Sequence, residues 1–224
     1  MKEMRVLITG GTPLAEGIGR GLGDRGAEVR AGWREPATRS ALEALLDAVA
    51  ADMGGLDMIV HTWAHAEACV RRPIEHMTET QWIDACESTL DGAYRLAQAA
   101  YTHLARTRGR LIYVVPTIAM GGADGYAPYA AAAEGTRALA KGIAKTWGKD
   151  GITVNIIAVN VTTVLGEAAG GDAAKSFSLS PPALGRTGDP ATDLAPVISL
   201  LATNDASFVT GSTLVLDGGV WMSL

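Results

Sequence analysis

The stretch Val6-Leu7-Ile8-Thr9-Gly10-Gly11, followed by Gly17-Ile18-Gly19-Arg20-Gly21-Leu22, decides the fold class. Val6 to Thr9 is a short apolar run rich in β-branched residues, and it breaks at two glycines. That pattern predicts a buried strand and a tight turn. Gly17 to Arg25 reads as the next helix, and Gly26-Ala27-Glu28-Val29 turns into a second strand. The alternation continues outward. Helices are expected over Ala37 to Met53, Gln81 to Thr107, Ala127 to Trp147 and Asp193 to Ala202. Strands are expected over Leu56 to His61, Arg110 to Val115, Thr153 to Val159 and Thr213 to Leu216. The helix from Gln81 places Leu90, Ala93, Leu96, Ala97, Ala100 and Leu104 at helical spacing. Strands that alternate with helices need crossovers, so the sheet is parallel and covered on both faces. No linker, repeat or low-complexity stretch divides the 224 residues, and a single doubly wound α/β domain is expected.

Composition removes several function classes. A net charge of −5 argues against nucleic acid, whose phosphates need a basic face. No apolar run is long enough to span a bilayer. Two cysteines, Cys69 and Cys86, make no disulfide framework and point to a reducing compartment. The first strand begins almost at Met1, so no signal peptide is expected and the location read from the sequence is cytoplasmic.

Thr9-Gly10-Gly11 with Gly17-Ile18-Gly19 resembles the phosphate loop of the short-chain dehydrogenase/reductases. The tail is more similar still. Leu184-Gly185-Arg186, Asp189-Pro190, Phe208-Val209-Thr210-Gly211 and Val215-Leu216-Asp217-Gly218-Gly219 keep that family's order and spacing, as does Gly151-Ile152-Thr153-Val154-Asn155. The resemblance covers nearly the whole chain. It implies a Rossmann-like sheet, a nicotinamide cofactor, and a catalytic Tyr–Lys pair supported by Ser and Asn. A phenol with a pKa of about 10 needs that ammonium one helical turn away, about 6 Å along the axis, to work near neutrality. Tyr129 stands at the tyrosine position, yet the fourth residue after it is Ala133. Tyr126 is followed at the same spacing by Ala130. Arg137 and Lys141 lie roughly 12 and 18 Å along the helix, where screening removes most of their effect. Pro116 takes the serine's place with Thr117 beside it, and Thr89 takes the place of the helix asparagine. No working catalytic residue is expected, and Tyr129 is read as vestigial.

Four positions bear on the cofactor that the resemblance implies. Gly10 and Gly17 are separated by six residues instead of the usual three, so a lengthened phosphate turn is expected, with Glu16 adding a carboxylate. Counted from Gly11, an enoyl-reductase-like variant has a longer loop of this kind. Trp33 replaces the acidic residue that would bind ribose; Arg34 could meet a 2′-phosphate but reads as a surface arginine. Only 23 residues, Arg34 to Leu56, separate strand two from the core of the next strand, which begins near Asp57. That suffices for one crossover helix and not for helix, strand and helix, so the family's third strand, whose end contacts adenine, is expected to be deleted. Last, His61-Thr62-Trp63-Ala64 stands where the family has Asn-Asn-Ala-Gly, and Trp63 with Trp33 is expected to fill the groove. The Pro-Gly after the next-to-last strand is also replaced, by Val159-Asn160. Gly10, Gly11, Gly17, Gly19 and Arg34 are therefore read as vestiges, with NAD expected in a partner subunit and none held by this chain.

Other chemistries are weaker. His61 and His65, near Glu67 and Cys69, have metal-like spacing but start at a strand end, so no metal is expected. Ser176, Ser178 and Ser180 have no nucleophile setting, and Gly166 to Lys175 reads as a flexible loop in the lid region. The losses fall where cofactor and substrate would touch, while the tail and both long helices are kept. In the family those helices and the last strand join subunits. The expectation is a non-catalytic subunit that scaffolds an active NAD-dependent dehydrogenase paralogue in a hetero-oligomer, through the two long helices and the C-terminal strand. Two alternatives stand beside it: a degenerate NAD(P)H-dependent oxidoreductase using Tyr129, Tyr126 or Thr117, and a small-molecule-binding module in the vacated groove.

Overall fold

A computed structural model describes residues 4–32, 38–122, 124–164 and 182–222. The apolar runs form six parallel strands: β1 (Arg5–Thr9), β2 (Glu28–Gly32), β3 (Met58–His61), β4 (Arg110–Pro116), β5 (Thr153–Val159) and β6 (Thr213–Leu216). They lie in the order β2-β1-β3-β4-β5-β6. The central strands are buried on both faces, which is why they read as continuous apolar runs.

The helix after β1, α1 (Pro13–Gly23), starts four residues earlier than expected. Thr12 caps it by accepting the Ala15 N–H, and Pro13 fits the first helical position, where no N–H is needed. The reversal from β2 back across β1 to β3 fixes where α2 (Arg39–Met53) lies. A right-handed crossover puts it on the face opposite α1. There Leu42 and Leu46 join Leu7, Leu96 and Leu104 in one core. The expected helix from Gln81 forms in three pieces: α3 (Glu79–Trp82) with a Thr78–Gln81 capping box, a π-turn at Ile83–Glu87, and α4 (Ser88–Thr107). A short α5 (Ile118–Gly121) precedes α6 (Ala127–Trp147), which packs beside α4. The final helix, α7 (Ala195–Leu201), follows a π-turn at Pro190–Leu194 and packs with α1 on the other face, where Ile8, Ile18, Val60 and Ile198 form the second core. Both β4–β5 and β5–β6 step the same way across the sheet, yet α6 and α7 lie on opposite faces. The last crossover therefore has the rare left hand.

Between β2 and β3 the described chain holds one helix, and no described strand lies beyond β2. The usual doubly wound order has a third strand there. The short interval had room for only a single crossover, and the sheet ends one strand early.

Candidate functional site

In a doubly wound sheet the ligand crevice lies at the carboxyl ends of the strands where the order reverses, here between β1 and β3. The residues at that point are Thr9, Gly10, His61, Thr62 and Trp63. The turn from β1 to α1 is three residues, Gly10-Gly11-Thr12. The lengthened phosphate turn expected from the glycine spacing does not form. The extra residues become the first turn of α1, which leaves Glu16 exposed on the helix. Gly17 and Gly21 serve packing: a Cβ on Gly17 would lie 2.8 Å from Pro190 Cβ, and one on Gly21 would lie 2.3 Å from the Ala191 carbonyl oxygen. A Cβ on Gly19 would make only ordinary contacts, with Ile8 and Val29.

Gly10 has φ of 107°, which favours glycine. A Cβ there would sit 2.3 Å from Thr62 Oγ1. The Thr62 hydroxyl donates to the Thr9 carbonyl at 2.7 Å, and the Thr62 N–H reaches the same oxygen at 3.2 Å. Protein thus fills the space that the glycine opens. Trp63 is buried behind it, edge-on to His65. Trp33 and Arg34 lie outside the described residues. His61 points to the α4 side of the sheet with Thr9 and Tyr113. Its Nδ1 is 2.8 Å from Thr9 Oγ1, and its ring meets Tyr113 edge-on at 5.6 Å. The Tyr113 hydroxyl donates to the Ala93 carbonyl of α4. Burial pushes the His61 pKa down to about 3, so the ring is neutral.

Of the residues at the family's catalytic positions, Pro116 and Thr117 lie at the end of β4, Tyr129 and Ala133 on α6, and Thr89 on α4. Tyr126 and Tyr129 are buried in an apolar cluster with Ala68, Ala85, Ile118 and Val161, and Cys69 packs against it. Burial, with a smaller contribution from the Cys69 thiol, raises the Tyr129 pKa well above its usual value. Ala133, one turn on, is also buried and offers no charge. Arg137 pairs with Glu134 and reaches Thr213 Oγ1 at 3.4 Å, so it is committed elsewhere. Pro116 ends β4 and brings no hydroxyl, while the Thr117 N–H donates to the Val159 carbonyl. Thr89 is buried, and its hydroxyl oxygen accepts the His65 N–H at 3.1 Å. Asn160 closes the turn after β5 by accepting the Thr162 N–H.

His65 Nδ1 accepts the Glu67 N–H, and among the described residues no three His, Cys, Asp or Glu side chains are grouped to hold a metal. Gly166 to Lys175 and Ser176, Ser178 and Ser180 lie outside the described residues. Sequence reasoning missed Thr62 as the side chain seated over Gly10, and Ala68 and Cys69 as the residues that cover Tyr129. Neither had a signal at the glycine turn itself, because both contacts join residues far apart in the sequence.

Comparison with known proteins bears on this arrangement. The family model for enoyl-(acyl carrier protein) reductase matches residues 37–221. The chain belongs to the short-chain dehydrogenase/reductase superfamily. It is 31% identical over 215 residues to a 3-oxoacyl-(acyl-carrier-protein) reductase of Haemophilus influenzae, covering 93% of this chain and 84% of that protein. The same enzyme of Vibrio cholerae is 31% identical over 90% of this chain and 80% of its own length. A probable 2,4-dienoyl-CoA reductase of Bacillus subtilis is 28% identical and covers 100% of this chain and 98% of its own. The superfamily framework is therefore shared from β1 to the Asp217 tail. No described helix is long and apolar enough to cross a membrane.

Proposed function

We propose that this chain is a non-catalytic short-chain dehydrogenase/reductase subunit that scaffolds an active, NAD-dependent paralogue in a hetero-oligomer. The observation that carries this reading is Tyr129: a phenol sealed in an apolar cluster, its pKa driven up, with Ala133 where the ammonium is needed. A general acid–base must reach its proton and have a pKa near the working pH, and Tyr129 meets neither condition. The residues at the crevice also do not fit a dinucleotide. Thr62 takes the space over Gly10, Trp63 is packed behind it, and no described strand lies beyond β2 to receive adenine. Exposed apolar side chains support an assembly role: Tyr94 and Tyr101 on α4, Val215 on β6, and Phe208. In its most specific form, the reading sets the chain beside the inactive subunit of the heterotetrameric 2-(hydroxybenzyl)succinyl-CoA dehydrogenase of anaerobic toluene breakdown. The active partner would hold NAD and the Tyr–Lys pair.

A second reading has one observation in its favour: the similar proteins are named reductases of 3-oxoacyl and dienoyl thioesters. Under it, NADH or NADPH would supply the hydride to such a substrate and Tyr129 would donate the proton. One experiment separates the two. The purified chain and its Tyr129→Phe variant are assayed with both nucleotides and a 3-oxoacyl or enoyl thioester, and nucleotide binding is followed by tryptophan fluorescence. Scaffolding predicts no turnover in either protein, no saturable nucleotide binding, and a stable complex on co-expression with the paralogue. Turnover that disappears in Tyr129→Phe establishes the second reading instead.

A further inference from the structure

Tyr129 is covered by a separate piece of chain, and its fastenings are specific. After β3 the chain runs through Trp63 and Ala64 into a 3-10 turn at Ala66–Cys69. That turn lies against α6 and against the π-turn at Ile83–Glu87. Ala68 is buried, and Cys69 and Ala64 pack on the cluster that contains Tyr126 and Tyr129. The segment is then tied to the turn before α6. The Arg72 N–H donates to the Gly125 carbonyl at 2.8 Å, and Arg71 pairs with Asp124. A third link lies within the segment, where Arg72 reaches back to Glu67 at 2.9 Å. The tie needs a glycine. Gly125 has φ of 76°, and a Cβ there would lie 2.6 Å from Arg71 Cγ and 3.2 Å from the Arg72 nitrogen.

We infer that residues 64–72 act as a built-in stopper: Ala68 and Cys69 cover Tyr126 and Tyr129, and the Arg71–Arg72 fastening to Asp124–Gly125 holds them there. This deepens the proposed function by giving a second cause of inactivity, independent of the missing lysine. The stopper occupies the volume next to the phenol, so a carbonyl substrate has no approach to it. It also rests on different residues from the assembly surfaces, so a failed labelling test leaves the Ala133 gap and the scaffold reading standing, whereas turnover lost in Tyr129→Phe would remove that reading.

The test reads the reactivity of Cys69, with no need for activity or for a partner. Burial raises that thiol from its ordinary 9.0 to about 11. Two pH units correspond to about a 100-fold smaller thiolate fraction at pH 8, and the thiolate is the nucleophile. In a Cys86→Ala background, maleimide labelling reports Cys69 alone. Gly125→Val should break the fastening and speed labelling at least tenfold, with the far-UV circular dichroism unchanged. If Gly125→Val does not fold, the double variant Arg71→Ala/Asp124→Ala carries the test, with an expected rise of about threefold. Wild-type labelling at the rate of a free cysteine, or no acceleration in a folded latch variant, would overturn the stopper.

Discussion

His61 gives the sharpest test of the buried crevice. Its imidazole is sealed between Thr9 and Tyr113 at the end of β3, and burial lowers its pKa from 6.5 to about 3. The unfolded chain therefore binds a proton between pH 6.5 and 3 that the folded chain rejects. Stability from this group is intact at neutral pH and declines as pH falls through 6.5, continuing until pH 3. At pH 5 the deficit spans 1.5 pH units below 6.5, or about 2 kcal/mol at 1.36 kcal/mol per unit. That is a large share of a total of about 5–15 kcal/mol. The shifted carboxylates among the described residues, Asp57, Asp189 and Asp193, all lie below this window. Arg186 holds Asp193 at about 2, and Asp57 is held below its usual 3.8 despite its burial, through the bonds it accepts from Arg5. Their contributions disappear only as pH drops below about 4. The assay is urea unfolding at pH 7 and pH 5 for the wild type and for His61→Asn, which can still meet Thr9. The wild type should lose about 2 kcal/mol between the two pH values, and the variant should lose less than half of that. Equal losses would refute the assignment of a buried neutral imidazole.

Two further outcomes are expected. Gly21→Ala drives a methyl to within 2.3 Å of the Ala191 carbonyl oxygen and 2.7 Å of Ala195 Cβ, so the α1–α7 packing must open. A loss of about 1–3 kcal/mol, seen as a fall of several degrees in Tm, is expected, and an unchanged Tm would contradict the close approach. Ala133→Lys restores the lysine spacing after Tyr129 but puts an ammonium at a site that is 2% exposed. It should lower stability by several kcal/mol, through an unpaired buried charge, and give no turnover with NADH or NADPH. Recovered activity would contradict both the stopper and the absence of a dinucleotide berth.

The framework was legible because it depends on local signals. Strand and helix periods, the Gly151 and Asp217 motifs and the count from Arg34 to Leu56 each constrain a neighbouring element, and together they point to a parallel sheet wound by helices. The carboxylate of Asp217 shows why its motif persists: it accepts the N–H groups of Gly219, Val220 and Trp221 and folds the tail back. The site was only half legible. The absence of a lysine after Tyr129 can be read from spacing alone. The start of α1 could not be read from the glycines, because Thr12 and Pro13 override them with a cap and a fixed φ. The cover over Tyr129 was invisible for a deeper reason: Ala68, Cys69 and Gly125 are apolar or small residues in loops, and their meaning comes from which distant atoms they meet.

The missing strand and the altered crevice belong to one physical account. Removing a strand from the centre of this sheet would destroy both cores, whose largest members, such as Leu7, Ile59, Tyr113 and Ile157, sit on β1, β3, β4 and β5. Removing one from the β2 end leaves those contacts whole. It does open an edge, and the sequence answers that: Arg30 on β2 pairs with Glu28 and with Asp52 of α2, placing charge along a strand that would otherwise invite pairing. The same end of the sheet is where the family receives adenine. Under the proposed function, a chain relieved of cofactor binding can therefore lose that end with its fold intact, whereas a chain still selected to bind a dinucleotide could not. The stability of the shortened domain and its lack of nucleotide affinity are thus predicted together. A tightly bound NAD(P) in this chain would break that link.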